Sequence, residues 1–438
     1  MYDSIYWNTA CLIVNSGSLE AADDKSTDYA KTAAALGDII SNNTIVSLVD
    51  INNSDFGFVP DVKNNAILFG MKALPRVNVD IINRIKANRP YKSIKDFMNK
   101  CVVNKSVMFS LIKAGAFDEV DKSWANPAKP IRIQTMAYYV SYACEPKSKL
   151  TLQNFSTLMQ RKLLPESLDL QQKTFNFNKY LKKYRKVGEY YCFDNISEEF
   201  FNKNFLSKDA DKLEVINGHV CINQKVWDKI YKKCMDTART YLKENESEVL
   251  GKLNTSLFQE VWNKYCTGST SAWEMESLCF YHGKHELADV DTAEYGIVPF
   301  ETLPEQPEVE TYFKRGGNQI PIFRLTKIMG TVIAKDDNHS SISLLTIENK
   351  VVTVKFTREY YAMYSKQVSE RQEDGTKKVM EKSWFVRGTK VMITGFRRDD
   401  TFVAKRYKRT PTHQLYKILN VDDNGKLLMT NERYDTKE

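Results

Sequence analysis

Gly70-Met71-Lys72-Ala73-Leu74-Pro75-Arg76-Val77-Asn78, followed by Ile81-Ile82-Asn83-Arg84-Ile85, is the stretch on which the reading of this chain turns. A helix, a tight turn and a second helix can aim backbone N–H groups at a phosphate. The turn would be Arg76-Val77-Asn78, and it wants residues that tolerate positive φ; asparagine visits that region, less easily than glycine. A plain helical hairpin has the same pattern, so both readings stand at this point. Downstream, Ile94, Phe97 and Met98 continue the amphipathic spacing after a natural stop at Asn88-Arg89-Pro90-Tyr91. A further helix is expected over about Val107 to Ala114, with Gly115 able to cap it. Residues 61–120 are therefore expected to form a compact helical unit.

On the N-terminal side, Ile5, Ala10, Ile13 and Val14 fall near helical spacing and the run Asp28 to Ile40 is alanine-rich, so residues 1–60 are expected to be mostly helical. On the C-terminal side, residues 121–310 are long, mixed, and rich in lysine and aromatics; Trp124, Pro127 and Pro130 mark a linker, and Glu301 to Glu310 reads as a boundary. Within this region Lys182, Lys183, Arg185 and Lys186 interleave with Tyr180 and Tyr184. Such a cluster can track a duplex backbone or be a solvated face. Residues 322–410 change period: Val351 to Phe356, Val391 to Phe396 and Phe402 to Ala404 read as strands, and several short strands in so short a span suggest a small barrel. The charged insert Val368 to Lys382 is expected as a loop, and residues 411–438 as a tail. Barrels of this type hold single strands with a basic face and stacking aromatics. The candidates are Lys355, Phe356, Arg397, Arg398, Phe402, Lys405, Arg406, Tyr407, Lys408 and Arg409, with Phe356 and Phe402 equally suited to a core.

The bulk numbers bound these readings. A chain of 438 residues exceeds one ordinary core, so roughly two to four domains are expected. Hydrophobic content of 42% and charged content of 27% describe a globular, soluble class. No run approaches the roughly 18 apolar residues of a membrane span, and Met1-Tyr2-Asp3-Ser4 lacks the basic start of a signal peptide. A net charge of +8 permits a nucleic-acid partner. The eight cysteines form no CxxC pair, which fits a reduced, intracellular chain. His282 and His285 have no second pair beside them, so no metal site is expected. Gln172, Phe175 and Phe177 have the spacing of a short plug for a ring-shaped sliding clamp. Nucleotidyl transfer needs carboxylates that hold two divalent ions. Asp289-Val290-Asp291 has the letters of such a pair but follows a helix and turn with weak apolar context, and neither a phosphate-binding P-loop nor an HExxH is present.

Several stretches, in order, resemble one family, the alpha subunit of bacterial DNA polymerase III (the C-family replicases). Ile5-Tyr6-Trp7-Asn8-Thr9-Ala10-Cys11-Leu12 resembles a fingers segment, YPxEFxAAxL; Val49-Asp50-Ile51-Asn52-Asn53-Ser54 followed by Phe58 resembles PDINxS…F. Ile67 to Leu74 resembles the start of IxxGLxAIKGVG, Leu111-Ile112-Lys113-Ala114-Gly115-Ala116-Phe117-Asp118 matches LIxxGAFD, and Glu276 to Leu287 resembles ExLGxYxxxHPL. The resemblance implies a multidomain α+β chain: helical end of fingers (1–60), tandem helix-hairpin-helix (61–120), a mixed insert region (121–310), an OB-type barrel (322–410) and a tail. Together with the residue readings above, duplex contacts are expected from Lys72, Arg76, Asn78, Lys105 and Lys113, single-strand contacts from Lys355, Arg397, Arg398, Lys405 and Arg406, and possible clamp contacts from Gln172, Phe175 and Phe177. The family's hairpin glycines are replaced around Arg76 and Asn78, and residues 121–275 look longer than usual. The palm with its catalytic aspartates is missing, and the chain starts where a finger helix would be half complete. The expectation is a split, phage-type replicase component in the bacterial cytoplasm, inactive alone, whose palm-bearing partner chain supplies Mg²⁺; the alternative is a free-standing DNA-binding adaptor acting on a host clamp or polymerase.

Overall fold

The computed structural model describes residues 4–19, 27–42, 44–372, 376–407 and 414–434. The chain divides into two compact units, one built from residues 1–137 and 268–438, the other from 138–267. In the first unit, α1 (Ser4–Asn15) buries Ile5, Thr9 and Leu12, and α2 (Tyr29–Ser41) starts at Asp28, whose side chain accepts from the Lys31 N–H. Three short strands, β1 (Ile45–Ser47), β2 (Val59–Asp61) and β3 (Ala66–Leu68), form a sheet in the order β1-β3-β2, with β1 parallel to β3. The expected boundary at residue 61 falls inside this sheet, at the end of β2, and the stretch after α2 is strand and turn rather than helix. Strands of three residues are too short to show an alternation in sequence. Helices α3 (Val79–Ala87), α4 (Ile94–Lys100), α5 (Lys105–Lys113) and α6 (Asp118–Asp121) follow, then α7 (Ile131–Ala143).

The second unit has its own interior. It contains α8 (Phe155–Gln160), α9 (Asp169–Tyr180), β4 (Lys186–Val187), β5 (Tyr190–Cys192), α10 (Asn195–Asn204), α11 (Leu206–Asp209), β6 (Leu213–Ile216), β7 (His219–Asn223), and the long pair α12 (Gln224–Glu244) and α13 (Glu246–Tyr265). Its strands pair in the order β4-β5-β7-β6. Two apolar clusters fill it. Phe155, Leu158, Phe175, Met235, Leu242 and Leu253 belong to one, and Phe177, Leu181, Tyr191, Phe201, Ile222 and Trp227 to the other. Helix α9 thus sends Phe175 to one cluster and Phe177 to the other, and Asn178 beside them accepts from the Trp227 indole N–H at 3.0 Å.

Returning to the first unit, α14 (Thr270–Leu278) leads through an irregular stretch to the hairpin β8 (Val309–Arg315) and β9 (Asn318–Phe323), then to the barrel. Strands β10 (Thr326–Asp336), β11 (Ser341–Thr346) and β12 (Val351–Lys355) form an antiparallel meander. Then come α15 (Arg358–Ser365), a hairpin of β13 (Val368–Arg371) and β14 (Lys377–Glu381), and the strands β15 (Lys390–Arg398) and β16 (Thr401–Ala404). The five barrel strands close as β10-β11-β12-β16-β15-β10, with β12 and β16 parallel and a helix between the third and fourth strands, which is the OB-type arrangement. Phe356 and Phe402 lie in its core with Trp384 and Phe385. A Cβ at Gly395 would stand 2.1 Å from the Val403 carbonyl oxygen, so the closing strands approach too closely there for any side chain.

Two further expectations change. Val368 to Lys382 contains the β13–β14 hairpin rather than only a loop. The expected tail contains β17 (Tyr416–Val421) and β18 (Leu427–Thr430); β17 pairs with β15, so these residues extend the barrel sheet. Among the described residues, no helix is long and apolar enough to cross a membrane.

Candidate nucleic-acid interface

The first hairpin begins at a 3-10 turn, Met71–Ala73, and reverses at Pro75-Arg76-Val77. Arg76 takes φ 68°, the left-handed conformation that the turn requires. Asn78, expected as the positive-φ residue, is extended (φ −98°, ψ 174°) and caps α3, its Oδ1 accepting from the Ile81 N–H at 3.0 Å. The cap takes one of the four N–H groups that a helix start leaves without an internal partner. Val77 is buried between two exposed residues, so Arg76 and Asn78 present the turn to solvent while Val77 anchors it. Lys72 is half-buried.

The second hairpin repeats the device. Ser93 caps α4, accepting from the Asp96 N–H, and Asp96 accepts in turn from the Lys92 N–H at 3.0 Å. The turn Cys101 to Asn104 buries Cys101 and exposes Val102, and Asn104 caps α5 through the Val107 N–H at 2.9 Å. Arg84 of α3 donates to the Val102 carbonyl oxygen at 2.8 Å, which ties the two hairpins together. Lys105 is exposed at the start of α5.

The stretches around the hairpins act as brackets. Asp50 Oδ1 accepts from the Asn52 and Asn53 N–H groups, and the Ser54 hydroxyl donates to the Phe69 carbonyl oxygen at 2.8 Å. Asn52 exchanges two hydrogen bonds with the Tyr91 backbone, and Arg89 donates to the carbonyls of Ile51 and Ser54. At the far end, Gly115 has φ 81°, and a Cβ there would meet Arg132 Nη2 at 2.8 Å and Asp118 Oδ2 at 3.0 Å. Arg132, almost fully buried, pairs with Asp118 at 2.6 Å and Glu274 at 2.8 Å. Glu274 also accepts from the His282 and Gly283 N–H groups. The Gly-Ala-Phe-Asp stretch and the helix α14 are therefore two sides of one buried ionic knot. Cys279, where the resemblance places glycine, has φ 62° at the end of α14. Arg132 and Glu274 were not singled out from the sequence; their pairing spans 142 positions, which no local pattern encodes.

Several expected site residues have other duties. Lys113 is 6% exposed and pairs with Glu276 at 2.5 Å, which removes it from the duplex set: its charge is spent inside the fold. Arg397 donates to the carbonyls of Asp399, Glu301 and Leu303 and covers the Phe300 ring at 4.7 Å, so it clasps the barrel to the preceding segment rather than facing a strand. Arg398 next to it is exposed. Lys355 is exposed at the end of β12, and Lys405 and Arg406 are half-buried beyond β16; Arg406 lies over the Tyr360 ring at 5.0 Å. Arg398 sits at the β15–β16 turn and Lys405 just past the opposite end of β16, so the barrel cations do not form one cluster. Tyr407 Oη accepts from the Phe323 N–H. Lys408 and Arg409 lie outside the described residues.

In the second unit Phe175 and Phe177 are 8% and 6% exposed, and only Gln172 of the expected clamp plug is partly accessible. The plug spacing does not reveal this burial: residues two apart on a helix between two cores are both interior. The basic cluster is partly neutralised. Arg185 pairs with Asp194 at 2.9 Å and Lys182 with Asp228 at 3.7 Å. A hydrogen bond from Tyr180 is the main cause holding the Asp194 carboxyl down to about 2. Asp289 pairs with Lys284, and Asp291 caps the following turn through the Ala293 N–H.

The family described as a helix-hairpin-helix motif matches residues 43–126, which includes the three-stranded sheet as well as both hairpins. Over 99% of its length the chain is 36% identical to a protein of Bacillus subtilis (strain 168) described as probable DNA polymerase YorL, and equally to a DNA-directed DNA polymerase of Bacillus phage SPbeta. It spans 33% of the length of each. A shorter stretch, 22% of the chain and 8% of the relative, is 38% identical to the DNA polymerase III subunit alpha of Thermus aquaticus.

Proposed function

We propose that this chain is part of a replicase of the bacterial DNA polymerase III alpha type, carrying its helix-hairpin-helix and OB-type domains, and that it holds DNA for a palm-bearing part. The two hairpins grip duplex phosphates, and the barrel guides single-stranded template. The palm supplies Mg²⁺ and the nucleotidyl transfer; the residues of this chain bind and position. The observation that carries this reading is the hairpin turn itself. Arg76 adopts the positive φ of the turn in place of glycine, so the backbone path to the α3 start is kept and a cation is added beside it. An exposed helix start with a neighbouring cation is a phosphate site on electrostatic grounds.

In this reading the duplex set is Lys72, Arg76, Asn78 and Lys105, with Lys113 removed, and the single-strand set is Lys355, Arg398, Lys405 and Arg406, with Arg397 removed. Contacts of this kind confer no sequence preference and weaken with salt. The test is duplex binding by fluorescence anisotropy across a salt series. Arg76→Glu with Lys105→Glu should weaken binding about tenfold or more and reduce the salt slope by about two. An unchanged slope with a folded variant sinks the duplex assignment. The chain alone with Mg²⁺ should extend no primer, and extension by the chain alone refutes the division of labour.

A further inference from the structure

The second unit contains a hollow of about 820 Å³, a size suited to a small organic ligand, separate from the hairpins and the barrel. It is lined from α9, α11, the segment after it, and α12. Lys208, Lys212, Lys229 and Lys233 all contribute to its wall, against one carboxylate, Asp209, which Lys212 already pairs with. Among the described residues Lys208, Lys229 and Lys233 make no ion pair. Leu170, Phe205 and Ile230 supply an apolar side. Gln171, 8% exposed, also lines the hollow, and its Oε1 is shut from solvent with no hydrogen-bond partner.

We propose that this hollow binds a nucleoside phosphate, either a free nucleotide or one nucleotide of a DNA strand. Lysines act as point charges for phosphate oxygens. The apolar wall accommodates a planar base. An inorganic anion would use only the lysines, and an acidic peptide would leave the apolar wall without a planar partner.

Lysine footprinting on the full chain tests this, with mass spectrometry resolving each modified residue. The probes are dATP and a 20-nucleotide oligodeoxyadenylate, with polyglutamate as the acidic-peptide control. Modification of Lys229 and Lys233 should slow about threefold or more with dATP, with the oligonucleotide, or with both, while Lys225 and Lys232 on the same helix but outside the hollow should not change. Protection by dATP identifies a free nucleotide as the source; protection by the oligonucleotide alone identifies a strand. Lys229→Glu with Lys233→Glu should weaken the protecting probe about tenfold, whereas Lys225→Glu with Lys232→Glu, an equal charge change, should alter it less than about twofold. All four lysines are exposed on α12, so neither pair disturbs the core. Protection of Lys229 and Lys233 by polyglutamate as strong as by the nucleotide probes overturns the proposal. So do equal effects of the two charge pairs, and so does no selective protection of Lys229 and Lys233. None of these results depends on the hairpins, so the proposal and the duplex reading fail separately.

Discussion

A single backbone angle separates the motif from its spelling. Arg76 occupies a conformation that costs a side-chain-bearing residue about 1–2 kcal/mol, and the gain is a guanidinium at the turn. Arg76→Gly should therefore stabilise the first unit by about 1 kcal/mol in urea unfolding while weakening duplex binding a few-fold. A stability loss in that variant would show that the arginine side chain, not the turn, fixes the hairpin. His285 gives a second residue-scale prediction. Its Nδ1 accepts from the Leu287 N–H, and burial first, then the nearby Lys390, lowers its pKa from 6.5 to about 4 against the opposing backbone hydrogen bond with Leu345. The unfolded chain takes up a proton between about 6.5 and 4 that the folded chain refuses, so stability is full above that window and falls as pH drops through it. The loss attributable to this group is of the order of 3 kcal/mol. His285→Asn, which keeps an acceptor for Leu287, should flatten that part of the pH profile; an unchanged profile would mean that other groups carry the acid sensitivity.

At the scale of elements, the sequence displayed what repeats and hid what is short or distant. The apolar spacing of Ile82 and Ile85, and of Ile94 and Phe97, placed α3 and α4, since those residues are buried on one face. The barrel strands announced themselves by β-branched runs. The three-residue strands of the small sheet and the pairing of β17 with β15 had no such signal, because their stability comes from partners elsewhere in the chain. Charge was the least legible property: a cation in sequence looks the same whether it faces water, clasps carbonyls as Arg397 does, or meets a carboxylate as Lys113 does. The two barrel arginines can be told apart by experiment. Arg398→Glu with Lys405→Glu should reduce the salt slope of single-strand binding by about two without changing the melting temperature. Arg397→Glu should lower the melting temperature by several degrees, roughly the cost of leaving carbonyl oxygens without their donor. If Arg397→Glu melts like the parent, the clasp contributes nothing.

At the scale of the molecule, the second unit was anticipated only as an over-long stretch; its two apolar clusters lie wholly within residues 150–257 and supply an interior of their own. Residues 144–267 expressed alone should give a cooperative unfolding transition by circular dichroism, and a gradual, non-sigmoidal loss of signal would refute that independence. The first unit is different in kind, since Ala33, Met275, Tyr281, Ile333 and Leu345 share one cluster. During synthesis the ribosome delivers Leu345 some three hundred residues after Ala33, on the order of fifteen seconds or more later at roughly 5–20 residues per second. Over that interval α2 lacks the part of its cover that β10 and β11 supply, while everything needed by the second unit has already emerged. The order of maturation is thus inverted relative to the order of translation for the N-terminal helices, and a nascent chain stalled before β10 would display the apolar face of α2 to whatever holdase attends the tunnel exit.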